Sequence, residues 1–180
     1  MQYLRRLIWY VCSRLLIVCA LLGVLTMVFY FSMNATNIYV ILKDGMAKRA
    51  QVVMMGADEK QLDAYFSTAY LERDAMLQEA RNGQSAYQTN YSITGFDHRI
   101  NLDWMWCWPW EDSARATITE RIPAVDGKVR PSARDSAAAQ GITLPATPKW
   151  QTVQYDVLLS RENNKWRIRN LTAVKTINEE

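Results

Sequence analysis

Residues 155–168 read Tyr155-Asp156-Val157-Leu158-Leu159-Ser160-Arg161-Glu162-Asn163-Asn164-Lys165-Trp166-Arg167-Ile168. Together with Val153, the residues Tyr155, Val157 and Leu159 recur at every second position. That period puts side chains on one face of a strand. Glu162-Asn163-Asn164-Lys165 supplies the turn, because Asn tolerates the positive φ that a two-residue hairpin loop requires. Trp166 and Ile168 begin a return strand expected to reach about Val174. The chain therefore closes on an antiparallel hairpin whose first strand begins near Trp150.

Working upstream, Pro131–Pro148 is rich in Pro, Ala, Ser and Gly and shows no firm period, so residues 131–148 are expected to form a loop. Ala124–Gly127 is turn-like. Ser113–Ile122 alternates, with Arg115, Thr117, Thr119 and Arg121 on one face and Ala114, Ala116 and Ile118 on the other. Tyr87–Trp108 is rich in strand formers, with Gly95 a candidate bulge. Before that the pattern is helical. Ile38, Ile41, Met46, Ala50 and Val53 mark a helix over Asn37–Met55, closed by Gly56 as its C′ residue. Thr36 or Asn37 is its N-cap unless the helix continues from the segment before it. Asp58 and Gln61 form a capping-box pair for a second helix with Leu62, Tyr65, Phe66, Ala69 and Tyr70 on its apolar face. A third helical piece runs from Leu71 to Arg81. Helices grouped ahead of antiparallel strands predict an α+β domain, with the helices packed on a curved sheet.

Two stretches carry a family resemblance: Leu62-Asp63-Ala64-Tyr65-Phe66 in the helical block and the closing hairpin at residues 155–168. On these, the chain over residues 37–176 resembles the NTF2-like (cystatin-like cone) superfamily. Many such domains end in a similar strand–turn–Lys-Trp–strand unit, and membrane-anchored examples occur among secretion-system components. The whole chain also resembles small single-pass membrane proteins of Gram-positive bacteria. The resemblance implies a cone-shaped sheet that either serves as an assembly module or encloses a pocket.

Leu15–Met33 is free of charged residues and is dominated by Leu, Ile, Val and Phe. As a helix it spans about 28 Å, close to the hydrocarbon thickness of a bilayer. Arg14 marks its leading edge, and Leu15 and Met33 bound the membrane anchor. Trp9, Tyr10, Tyr30 and Phe31 lie near its two ends, as interfacial aromatics do. Arg5, Arg6 and Arg14 precede the span, so the positive-inside rule puts residues 1–14 in the cytoplasm and the domain outside the cell membrane. No small-residue cleavage site follows the apolar run, which favours an uncleaved, single-pass signal anchor.

The whole formal charge of +3 comes from those three arginines, and the 18 remaining basic side chains balance the 18 acidic ones. A neutral domain lacks the basic footprint of a nucleic-acid binder, so no nucleic acid is expected as a partner. Cys12 and Cys19 sit in or beside the anchor. Cys107 is alone in the domain and reads as a small buried hydrophobe. His98 is the sole histidine. Asp97 and Asp103 lie near it, but alternation sets them on the face opposite His98, so a solvated strand face is the expectation. No triad, phosphate-binding glycine loop or metal spacing appears. No catalytic, cofactor-binding or metal-binding residue is assigned, and no cofactor is expected.

The most specific stretch is Trp104-Met105-Trp106-Cys107-Trp108-Pro109-Trp110. In a strand, alternate tryptophans point to one side. Pro109 cannot donate to a ladder, so the strand is expected to end there. Trp104 and Trp106 are therefore expected in the core, and Trp108 and Trp110 form the candidate partner surface. The expected function is a membrane-anchored, non-catalytic interaction module within a cell-envelope assembly. Its partners would be the lipid bilayer and an envelope protein, with a homo-oligomer as a further option. The alternative is an extracytoplasmic pocket of NTF2-like type, binding a small ligand or acting as an enzyme.

Overall fold

The computed structural model describes residues Gln2–Ile177. A single helix, α1 (Gln2–Met55, 54 residues), opens the chain. At 1.5 Å per residue it is about 81 Å long. The expected break at Thr36 or Asn37 does not occur. Thr36 Oγ1 instead donates to the Ser32 carbonyl at 2.9 Å, one turn back, and the helix runs on. The apolar part of α1 is long and apolar enough to cross a membrane, and its most apolar stretch is wholly exposed.

Beyond the apolar run the same helix changes character. Ile38, Leu42, Met46, Ala50 and Val53 are buried at helical spacing, while Tyr39, Val40, Lys43 and Asp44 face out. Gly56 ends α1 with φ +68°, and its N–H donates to the Val52 carbonyl at 3.1 Å. A short 3-10 turn follows at Glu59–Ala64, capped by Asp58, whose side chain accepts from the Lys60 N–H. Three short helices come next: α2 (Thr68–Leu71), α3 (Ala75–Arg81) and α4 (Ala86–Asn90). The second and third expected helices thus become a 3-10 turn and two single-turn or two-turn pieces. Leu62, Phe66, Tyr70 and Leu77 still supply the buried face.

Four antiparallel strands follow in sequential order: β1 (Tyr91–Cys107), β2 (Ser113–Val129), β3 (Thr152–Glu162) and β4 (Lys165–Ile177). The β1–β2 register shifts at Ile93/Gly95, Asp97/Arg99 and Leu102/Trp104, and the β3–β4 register shifts twice. Each bulge bends and twists the ladder, so the sheet curls around α1. Asn163 (φ 51°) and Asn164 (φ 63°) build the β3–β4 turn in the primed geometry expected of it.

Two local readings are corrected. Ala124–Gly127 belongs to β2, because Gly95, Phe96 and Ile93 of the long β1 pair with it. Residues 131–148 are not all loop: Pro131–Ala139 is a helix, α5. Pro131 presets its first turn and four alanines favour it, while the absence of large apolar residues hides any period.

The core lies between α1 and the hollow of the sheet. Ala114, Ala116 and Ile118 of β2 face Val157 and Leu159 of β3, Ile168 of β4, and Phe66. Two alanines at the sheet centre leave room for a helix backbone. Gly45 of α1 meets the Tyr65–Phe66 segment and β4 closely: a Cβ there would sit 3.0 Å from Tyr65 Cβ and 3.3 Å from Ile168 Cδ1. The outer edge of β4 is part-covered by Tyr65–Ser67, whose backbone exchanges hydrogen bonds with Ile168 at 2.7 and 2.9 Å. The architecture is therefore α+β, with a long apolar helix that continues into a small curved-sheet domain.

Candidate functional site

The titratable groups divide into two sets, one under the sheet and one on its outside. Under the sheet, Arg49 projects from the buried stripe of α1. Its Nε donates to Asp74 Oδ2 at 2.6 Å, and Nη2 to Oδ1 at 3.2 Å. Asp74 also accepts from the Tyr70 hydroxyl at 2.6 Å and caps α3 through the Met76 and Leu77 N–H groups. Burial alone would raise the Asp74 carboxyl. The Arg49 bonds and charge, with the Tyr70 bond, outweigh it and hold the group below its ordinary value. Burial would likewise lower Arg49, but Tyr70, Asp74 and Glu120 keep it raised. Burial pushes the Tyr70 phenol well up, and pushes Tyr155 up to about 12. The ion pair thus stays charged, and the phenols stay neutral, across the physiological range.

A second buried pair lies on the strands. His98 Nε2 is 3.0 Å from Glu120 Oε1, with side chains 6% and 0% exposed. Trp150 Nε1 donates to the other Glu120 oxygen at 3.4 Å. The β1 bulge between Asp97 and Arg99 aims His98 into the hollow. The expectation of a solvated His98 is therefore corrected: it is a core side chain paired with a carboxylate from the neighbouring strand. Asp97 turns outward to Arg99 at 2.6 Å, and Asp103 turns to Thr119 and Gln154, so neither joins His98. Glu120 does not reach solvent. Cys107 is fully buried, and burial pushes its thiol up, away from the reactive thiolate. Among the described residues, no group of three or more His, Cys, Asp or Glu is placed to hold a metal ion.

The outer face of the sheet carries the tryptophans. Trp104 is 52% exposed and Trp106 49%, so the expectation that both lie in the core is corrected. The cause is the bulge at Asp103. Leu102 pairs with Ile118 and faces the core. After the extra residue, Trp104 pairs with Thr117 and faces out, while Met105 and Cys107 turn inward. Trp108 is half-buried and Trp110 is 68% exposed. The Glu111 N–H closes a turn on the Trp108 carbonyl at 3.2 Å, with Pro109 at the second position of that turn. Trp106 and Trp108 stack at 5.6 Å, and Trp110 meets Trp108 edge-on at 4.9 Å.

Beside Trp104 lies a shallow depression of about 340 Å³, lined by Arg115, Thr117, Asp156, Leu158, Asn170 and Thr172. A polar ladder runs through it and on beside it along the strands. Thr117 Oγ1 donates to Asp156 at 2.9 Å, and Asp103 accepts from Thr119 at 2.6 Å and from Gln154 at 2.9 Å. All the residues lining the depression belong to strands. Here an exposed aromatic stands beside hydrogen-bonded donors and acceptors and one guanidinium.

The chain matches no protein-family model, no curated protein and no solved structure. Functional inference therefore rests on this geometry. Sequence reasoning found the tryptophan row but put Trp104 and Trp106 on the wrong side of the sheet, and it missed both buried pairs. Arg49 gave one visible signal, a charge standing on the apolar stripe between Met46 and Val53.

Proposed function

We propose that this chain is a single-pass membrane protein whose NTF2-like, extracytoplasmic domain is a non-catalytic interaction module of a cell-envelope assembly. The observation that carries the reading is Trp104, half exposed on the outer sheet face beside the Arg115–Asp156 depression. A large aromatic held outward by a bulge costs solubility unless something covers it. The polar ladder around it is fixed by cross-strand bonds, so little side-chain entropy is lost when a partner docks. The charged groups of the interior are already paired with one another. Arg5, Arg6 and Arg14 ahead of the apolar helix favour a cytoplasmic N-terminus.

Photo-crosslinking tests this. A photoreactive residue replaces Trp104 or Thr117 in the full chain, expressed in its own cells. Both positions should give the same discrete protein adduct, and a residue at Lys43, on the exposed side of α1, should not. If neither outer-face position yields an adduct, the module reading fails. Protease added to intact protoplasts should remove the domain, and full protection would reverse the topology.

The pocket reading has one specific observation behind it. Arg49 Nη1 is buried without a hydrogen-bond partner, beside a cleft of about 330 Å³ bordered by Tyr70, Arg73, Asp74 and Tyr155. A small anion that raised the melting temperature of the wild type, but not of an Arg73→Ala variant, would favour it.

A further inference from the structure

The outward tryptophans do not all occupy the same environment. β1 runs antiparallel to α1. Just before its start, Gln88 and Ser85 bond the carbonyls of Val52 and Val53, at the far end of the helix. Near its end, Trp106 packs edge-on against Phe31 at 6.5 Å. The chain is therefore travelling toward the apolar run of α1 when it reaches the turn at Trp108–Glu111. Phe31 lies two residues inside the end of that run. Asn34, the first residue beyond it, accepts from Arg161 Nη2 at 3.0 Å. Arg161 also donates its N–H to the Asp112 carbonyl at 2.8 Å, so one side chain and its backbone tie the β1–β2 turn to the helix at this level. The helix is continuous through residues 31–38, so the turn is held at a fixed height.

We propose that Trp108 and Trp110 lie in the interfacial layer of the same bilayer that α1 crosses, anchoring the domain to the lipid surface. This rests on the anchored reading of Leu15–Met33. The headgroup layer on each side of the hydrocarbon core is roughly 5–8 Å thick. The tryptophan row leaves Phe31 in centroid steps of 6.5, 5.6 and 4.9 Å, each within the thickness of that layer, so the row starts at the level where the helix leaves its apolar run. Trp is the side chain that prefers it, with an apolar body and one donor for a headgroup or water. Phe29 and Tyr30, both exposed on α1, continue the aromatic belt at the same level. Residues 104–110 carry no charge. Glu111 and Asp112 follow directly, and the Asp112 carboxylate has Arg161 at 3.9 Å. Lipid contact at Trp108 and Trp110 takes these two out of the protein-partner surface and leaves that role to Trp104. It also makes a second attachment beside the helix, which fixes the direction in which the sheet faces.

The test is quenching of tryptophan emission by acyl chains brominated near the glycerol backbone. The full chain is reconstituted in phosphatidylcholine vesicles with plain or brominated lipid. A Trp9→Phe background that also carries Trp106→Phe removes the tryptophan at the other end of the span and the one that packs on Phe31. In that background bromination should still quench. Trp108→Phe with Trp110→Phe should bring the brominated-to-plain intensity ratio back toward one. Absence of quenching in this background overturns the proposal without any further variant. Quenching that survives the double substitution also overturns it. The anchor is read separately, by flotation of the wild type with vesicles after carbonate washing and by the quenching contributed by Trp9. A chain that fails to float sinks the anchored reading itself. A chain that floats with an unquenched turn sinks only the lipid contact.

Discussion

The two halves of α1 share one uninterrupted hydrogen-bond ladder and differ in what surrounds them. From Leu15 to Met33 the helix is apolar all round and mostly exposed, Phe31 alone packing against the core. From Ile38 to Val53 it is apolar on one stripe, and that stripe is buried by the sheet. A helix apolar on every side needs an apolar medium, whereas a striped one needs a partner on one side only. The comparison also shows how each half treats a charge. The lower half has none. The upper half buries Arg49 and can do so because Asp74 and Tyr70 meet it within hydrogen-bond distance.

Breaking that compensation should have the largest effect. Asp74→Ala strands the Arg49 guanidinium and removes the cap of α3. Loss of one partner of a buried pair costs about 3–5 kcal/mol, a large share of a stability of about 5–15 kcal/mol. Thermal melts of the full chain in detergent micelles should show a collapse of the domain transition. The same pair predicts a pH dependence. Asp74 is held below its ordinary value, so its contribution is complete above the unfolded value near 4 and is lost as pH falls through the lower folded value. The wild type should lose stability on acidification below about pH 4, and Asp74→Ala should flatten the part of that loss owed to this carboxylate. An acid limb unchanged by the substitution would assign it to other groups.

Placing a charge on the lower half is the converse experiment. Leu22→Arg puts an unpaired guanidinium near the middle of the apolar run, at about 2.5–3.5 kcal/mol against insertion. Membrane extraction by carbonate should rise while the domain still melts as before. Unchanged extraction would mean that the exposed apolar surface of α1 is covered by something other than lipid.

A smaller effect tests how closely the upper half is wrapped. Gly45→Ala adds a methyl group 3.0 Å from Tyr65 Cβ and 3.3 Å from Ile168 Cδ1. Overpacking of this kind costs about 1–3 kcal/mol, and the better helix propensity of Ala returns about 1 of that. A net destabilisation by melting is expected. A gain in stability would show that the Tyr65–Ser67 segment yields easily and that the helix–sheet contact is looser than its geometry.

Much of this arrangement is legible in the sequence, and the exceptions have specific causes. The Asn163-Asn164 turn, the Ala114/Ala116/Ile118 face and the buried stripe of α1 follow directly from local period and backbone chemistry. The continuity of α1 does not, because Thr36 and Asn37 look like caps until Thr36 turns back to Ser32. α5 has too few apolar residues to show a period. The binding face is hidden for a different reason. Strict alternation puts Trp104 on the same side as Leu102, and only the extra residue at Asp103 reverses it. A bulge has no reliable local signature, since its cost is met by pairing with a strand elsewhere in the chain. Arg49–Asp74 and His98–Glu120 join residues more than twenty positions apart and depend on the same long-range pairing.

Trp104→Ala should therefore have the smallest effect on folding, which separates it from a core tryptophan. Trp166 is buried against the core, and its truncation should cost about 3–5 kcal/mol. Trp104 stands on the outer face, and its Cβ environment is a cross-strand Thr117 and solvent. Surface substitutions of this kind usually fall within about 0.5 kcal/mol. Melting separates the two variants, although both reduce crosslinking. Trp166→Ala should lower the melting transition and abolish partner crosslinking at Thr117 together, because the face it supports is lost. Trp104→Ala should leave the transition in place while the Thr117 adduct weakens, as truncation of an interfacial anchor does. If Trp104→Ala melts as early as Trp166→Ala, the outward bulge at Asp103 is not the resting geometry of β1 and the binding face must be sought elsewhere on the sheet.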